Sequence, residues 1–175
     1  MTAGYLSPVL LSSHHGVDGF ECRSREQTLW LRRYARQSAA TGATKVLVVT
    51  PTDSADVVAY YAWCMAAIAA IAVETAPPRL RRGAGRYPQP VALLARLGVS
   101  IHHERRGLGA ALLRDVISRT AAVGRQIGCR GFLVHAETPQ ARDFYRHLIP
   151  EFEPSPSDEL HLVLLMKDIL RSLGS

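Results

Sequence analysis

Lysine is nearly absent from this chain. Of 21 Lys+Arg residues only Lys45 and Lys167 are lysine, and the rest are arginine. Acidic residues are fewer, at 15, which leaves a formal charge of +6. Cysteine is scarce as well. Cys22, Cys64 and Cys129 are odd in number and widely spaced, which argues against a disulfide framework and for a reducing, cytoplasmic setting. No Cys or His pair has zinc spacing, so no metal site is expected. The N-terminus has a short apolar run but no basic stretch before it, unlike a signal peptide. Residues 57–73 are uncharged, yet the run is alanine-rich and at the short limit of a membrane span, about 17–25 residues. Tyr60, Tyr61 and Trp63 would also lie inside it rather than in interfacial belts. A buried strand entering an Ala-rich element is the better reading, and no membrane partner is expected.

What is present is ordinary globular chemistry. The chain has 175 residues, 47% hydrophobic and 21% charged, which excludes wholesale disorder and fits one domain spanning 1–175. A charge of +6 suits an acidic partner such as a phosphate ligand, nucleic acid or an acidic protein, although an Arg- and Ala-rich composition can also reflect codon bias.

Periodicity predicts a helix over 22–36, with Leu29, Trp30, Tyr34 and Ala35 on an apolar stripe and Arg32, Arg33 and Arg36 opposite. Strands follow at 45–50 (KVLVVT) and 57–63. Residues 76–90 read as a loop rich in proline, with Gly83 and Gly85, and carry Arg79, Arg81, Arg82 and Arg86. A strand at 91–99 leads through a basic turn into the clearest helix, 107–126. A strand at 131–136 comes next, then a short helix opened by Thr138 and Pro139 and bearing Ala141, Phe144 and Tyr145. A last strand spans 160–166. This order predicts an α/β (α+β) fold with a mixed central sheet flanked by helices.

The stretch from Arg96 to Asp115, RLGVSIHHERRGLGAALLRD, carries the chemistry. A strand ends, two arginines follow, and Gly107 and Gly109 open a helix whose first N–H groups are unpaired. With Arg105 and Arg106 this is a pyrophosphate site, or else a strand–helix turn with glycines placed for packing.

The Arg-Arg-Gly-x-Gly-Ala unit before a helix resembles the acetyl-CoA loop of the GNAT acetyltransferases. Further segments resemble the acetyltransferase toxins of type II toxin–antitoxin systems: Phe20-Glu21-Cys22, Leu29-Trp30-Leu31-Arg32-Arg33-Tyr34-Ala35, Ala59-Tyr60-Tyr61, residues 90–97 and Ala141-Arg142-Asp143-Phe144-Tyr145. The resemblance runs from about Phe20 to about Leu165. It implies a GNAT fold with a splayed strand pair holding acetyl-CoA. Leu97, Gly98 and Val99 would bond the pantetheine arm, and Arg105, Arg106, Gly107, Leu108, Gly109 and Ala110 the pyrophosphate, with Phe144 beside them. Tyr145 would be the general acid. Without the resemblance, Tyr145 reads as a helix-face tyrosine packed on Phe144.

The resemblance further implies an aminoacyl-tRNA substrate, acetylated on its free amine so that translation stops. Arg32, Arg33, Arg36, Arg79, Arg81, Arg82 and Arg86 are the candidates to meet tRNA phosphates. A ribbon-helix-helix antitoxin and a homodimer are implied too. A GNAT enzyme for a small amine or protein N-terminus, and a non-catalytic CoA- or nucleic-acid-binding module, are the alternatives. Two departures stand out. Glu104 occupies a position that usually holds Gln or Arg, which needs it to point away or to pair with Arg105 or Arg106. Leu148-Ile149-Pro150-Glu151-Phe152 replaces a Gly-Phe pair. No general base stands out: Glu74 reads as a solvated strand end, His135 as a core or supporting histidine, and His102-His103 as a solvated pair. Cys22 and Cys129 read as small buried hydrophobes.

Overall fold

The computed structural model describes residues 4–68, 78–82 and 88–174. Its elements in chain order are β1 (Val9–Leu10), α1 (Arg25–Arg33), α2 (Ala35–Ala40), β2 (Lys45–Val49), β3 (Ala59–Ile68), α3 (Pro78–Arg81), β4 (Gln89–Val99), a 3-10 turn (Ile101–His103), α4 (Leu108–Gly124), β5 (Gly131–His135), α5 (Pro139–Leu148), β6 (Glu153–Pro154), β7 (His161–Leu165) and α6 (Met166–Leu173). The strand order is β1-β2-β3-β4-β5-β7-β6. β4 and β5 run parallel, while β1–β2, β2–β3, β5–β7 and β6–β7 are antiparallel. The sheet is therefore mixed, as expected of an α/β (α+β) chain. By contact density the chain falls into two compact units, 1–64 with 95–115 and 65–94 with 116–175.

In the first unit, β2 is buried from Val46 to Val49 and β3 from Ala59 to Ala62. Such continuous apolar runs suit strands covered on both faces. The core gathers Val17, Phe20, Cys22, Leu31, Ala35, Val46, Val48, Val57, Tyr60 and Ala62. Tyr60 is wholly buried; its hydroxyl donates to the Gln27 carbonyl at 2.7 Å and its ring stacks on Trp30 with centroids 6.0 Å apart. Gly98 is a packing glycine, because a Cβ there would sit 3.0 Å from Tyr60 Cε1.

The single helix expected over 22–36 is two helices broken at Tyr34. Ser24 caps α1 by accepting from the Gln27 N–H at 3.1 Å, so the helix begins at Arg25. That start turns Thr28, Leu31 and Ala35 inward and leaves Tyr34 54% exposed, against the stripe expected from the sequence.

In the second unit, β5 pairs with β7 from Gly131↔Leu165 to His135↔His161. Leu80, Val163 and Leu165 form a buried cluster with Ile68 and Leu133 against it. Thr138 caps α5 through the Ala141 N–H at 3.1 Å, with Pro139 in the first turn, as its sequence predicts. The expected loop over 76–90 is only partly a loop. Residues 78–81 form a helical turn, and Gln89 and Pro90 already belong to β4. Leu80 is fully buried, and Arg130 caps the turn by donating to the Leu80 and Arg82 carbonyls at 3.2 and 2.9 Å. β1, β6 and α6 are additions to the expected elements, and β3 extends to Ile68. Among the described residues no helix is long and apolar enough to cross a membrane. Glu74, Arg86 and the end of the apolar run at 69–73 lie outside the described residues.

Candidate functional site

In the first unit, β4 ends at Val99 and the chain turns through Ile101–His103 into α4. The turn is tied down by the Ser100 N–H to the Val58 carbonyl, 2.8 Å, and the Ile101 N–H to the Glu21 carbonyl, 2.9 Å. Two residues then take positive φ, Arg105 at 60° and Gly107 at 79°. Gly107 supplies the conformation that glycine adopts without strain, which delivers the chain into α4 at Leu108. Gly109 and Ala110 lie in the first turn of α4, where N–H groups have no partner within the helix. Arg105 and Arg106 stand at that end, exposed. A cleft of about 920 Å³ opens over it, lined by residues 4–8, Val49, Arg105, Arg106, Gly107, Leu108 and Ala111. Cations, unpaired N–H groups and the positive end of a helix dipole on one cleft make an anion site.

Glu104 pairs with neither loop arginine. Its carboxylate accepts from Arg23 Nε at 2.7 Å and from Nη2 at 3.0 Å, a two-pronged bond. The Arg23 hydrogen bonds, chiefly, hold the Glu104 carboxyl below its ordinary range. The acid is thus neutralised from 81 residues away, and Arg105 and Arg106 keep their charge for the cleft. Arg23 was invisible as a site residue in the sequence, because nothing local marks it as a partner of Glu104.

His102 is exposed, but His103 is half-buried, contrary to a solvated pair. Its Nδ1 lies 2.8 Å from the Tyr5 hydroxyl, and the same hydroxyl accepts from Arg106 Nη1 at 2.9 Å. Tyr5 is a second residue that sequence reasoning missed. Leu97, Gly98 and Val99 form the last part of β4, beyond Leu94, where the β4–β5 register ends.

Tyr145 and Phe144 lie in the second unit, on α5. Tyr145 is 7% exposed, whereas Phe144 is exposed. Burial first, and then the Glu137 carboxylate, push the Tyr145 phenol well above its ordinary value. Phe152 lies edge-on to Tyr145 with centroids 6.2 Å apart, and is itself backed by Phe132 at 6.3 Å. The unusual turn at 148–152 therefore ends in an aromatic support for the tyrosine. His135 is exposed rather than in the core, and stacks on His161 with centroids 3.8 Å apart. The imidazole loses part of its hydration in that stack, and this first, then the neighbouring His161, lowers its pKa.

The expected tRNA arginines divide. In the first unit Arg32 donates to the Phe20 carbonyl at 2.7 Å, and Arg36 to the Ser12 and His15 carbonyls at 2.8 and 2.6 Å. Arg33 is exposed. In the second, Arg79 is held by Glu153 at 2.7 Å and by the buried Asp168 at 3.0 Å, an internal ion pair rather than an open cation. Arg81 and Arg82 are exposed. Arg79, Arg82, Arg130 and Lys167 surround a smaller cleft of about 280 Å³ with Cys129, Leu165 and Met166. Cys22 is buried, but Cys129 is only half-buried. Among the described residues no group of three His, Cys, Asp or Glu side chains is placed to hold a metal.

Residues 64–148 match the acetyltransferase (GNAT) family. Over 172 residues the chain is 40% identical to a tRNA-acetylating toxin of Mycobacterium tuberculosis, covering 98% of this chain and 99% of that protein. The solved structure of AtaT complexed with acetyl-methionyl-tRNAfMet is similar with a TM-score of 0.85 at 18% identity, over 98% of this chain and 100% of that one. An AtaT mutant toxin bound to the C-terminus of the antitoxin AtaR and acetyl-CoA is similar at 0.80 and 18%, over 98% and 99%. At such identities the likeness is one of fold.

Proposed function

Since this chain belongs to the acetyltransferase (GNAT) family, we propose that it is a toxin that transfers the acetyl group of acetyl-CoA to the free amine of an aminoacyl-tRNA. The observation that carries the reading is its likeness, over almost its whole length, to a tRNA-acetylating toxin. The acetylated amine can no longer attack in peptide-bond formation, so translation stops.

The loop fits the cofactor. Arg105, Arg106 and the first N–H groups of α4 would hold its pyrophosphate, and Gly107 keeps the approach open. Leu97 and Val99 offer backbone groups to the pantetheine arm by strand addition. Bound acetyl-CoA would supply the activated thioester. Tyr145 Oη is the proton source for the departing sulfur, and its burial keeps that proton in place at working pH. The attacking α-amine has an ordinary pKa of about 8, so part of it is neutral without a dedicated base. Exposed Arg33, Arg82 and Lys167 are the side chains offered to tRNA phosphates. A cytoplasmic location, a homodimer and neutralisation by a ribbon-helix-helix antitoxin belong to the same reading. Expression in a bacterial host tests it: growth arrest with loss of protein synthesis is expected from the wild type and not from Tyr145→Phe. Equal toxicity of the two would overturn the assignment.

A further inference from the structure

Residues 4–8 take no part in the catalytic chemistry proposed above, yet they form one wall of the loop cleft. The segment is fastened at both ends of Tyr5. The Leu6 N–H donates to the Thr50 carbonyl and the Thr52 N–H to the Gly4 carbonyl, each at 3.0 Å. Tyr5 also forms a bridge with Pro51, and β1 pairs with β2 just beyond. The tyrosine is therefore delivered by the sheet edge rather than by a loose terminus. Its hydroxyl accepts from Arg106 at 2.9 Å and bonds His103 Nδ1 at 2.8 Å, and the two rings meet edge to face with centroids 5.7 Å apart.

The Tyr5 oxygen accepts from Arg106. When His103 is neutral with its proton on Nε2, the Tyr5 hydroxyl donates its own hydrogen to Nδ1. Burial, Arg106 and His102 lower the His103 pKa in the matching direction. A long exposed arginine loses rotamer freedom when it grips a ligand. One that is already held loses less, and its affinity rises accordingly.

We propose that Tyr5 is a positioning residue of the cofactor cleft: its hydroxyl holds the Arg106 guanidinium at the phosphate-binding end, so the N-terminal segment sets the affinity for acetyl-CoA through its phosphates. The proposal rests on the loop being the pyrophosphate site. Tyr5→Phe removes the hydroxyl and keeps the ring. Calorimetric titration with acetyl-CoA should show Kd weakened about threefold to tenfold, the worth of one hydrogen bond. KM for acetyl-CoA should rise by the same factor with kcat unchanged. The kcat/KM for S-acetyl-N-acetylcysteamine, a thioester with no phosphate, should not move. Arg106→Ala should weaken acetyl-CoA more, and Tyr5→Phe on that background should add nothing. The inference is overturned if Arg106→Ala weakens acetyl-CoA but Tyr5→Phe does not, or if Tyr5→Phe impairs both donors equally. If Arg106→Ala itself leaves acetyl-CoA binding intact, the reading of the loop fails and the inference falls with it.

Discussion

Two single residues decide how the chemistry is framed. Tyr145, the proposed proton donor, is kept neutral by its surroundings: burial and then Glu137 favour the neutral phenol. Its raised pKa means the proton is present well past neutrality and is lost only above the ordinary value of about 10. The alkaline side of the kcat profile should therefore show no loss from this group below about pH 10. By linkage, its contribution to stability is constant below that pH and falls as pH rises further. Tyr145→Phe should lower kcat by about 10²-fold or more in a steady-state assay while the protein stays folded. Glu104 looked like a carboxylate obstructing a phosphate site. Arg23 answers it with a two-pronged bond. Arg23→Ala should release that charge beside Arg105 and Arg106, and raise KM for acetyl-CoA about two- to fivefold. Adding Glu104→Gln should restore the wild-type value, which a steady-state titration of acetyl-CoA checks.

At the scale of elements, legibility in the sequence followed locality. The strand 45–49 was plain from its β-branched content, 131–135 from its short apolar run, and α5 from Thr138 and Pro139, because a cap and a strand core are written within a few residues. α5 carries Tyr145, and Phe152, 1% exposed, braces that helix from below. Phe152→Ala should cost about 3–5 kcal/mol in denaturant unfolding and reduce activity through Tyr145, since an empty space replaces the brace. The inward turn of Leu31 follows from the Ser24 cap, which is also a local signal. Other features depended on partners far away in the chain. The helical turn Pro78–Arg81 is tied by Arg130, which donates to the Leu80 and Arg82 carbonyls from 50 and 48 residues away. The pairing of Arg23 with Glu104, and Tyr5 on Arg106, join residues 81 and 101 apart, and no local pattern encodes them. α6 was different: Met166, Ile169, Leu170 and Leu173 do have helical spacing, but the preceding strand's apolar run masked where it began.

For the molecule as a whole, part of the basic excess can be located. Arg32, Arg36, Arg79 and Arg130 bond the protein itself, and Arg105 and Arg106 line the loop cleft. Arg33, Arg82 and Lys167 are exposed. Reversing these three to Glu should weaken binding of charged tRNA and flatten its dependence on salt by a log–log slope of about 2–3, leaving the acetyl-CoA Kd intact. Filter binding across a salt series checks this. The most direct test of the central claim is transfer of labelled acetyl from acetyl-CoA to total charged tRNA, with deacylated tRNA as control. The account predicts label that is released with the amino acid on mild deacylation, absent from deacylated tRNA and absent with Tyr145→Phe. Label that stays on the tRNA after deacylation, or equal transfer by Tyr145→Phe, would contradict it.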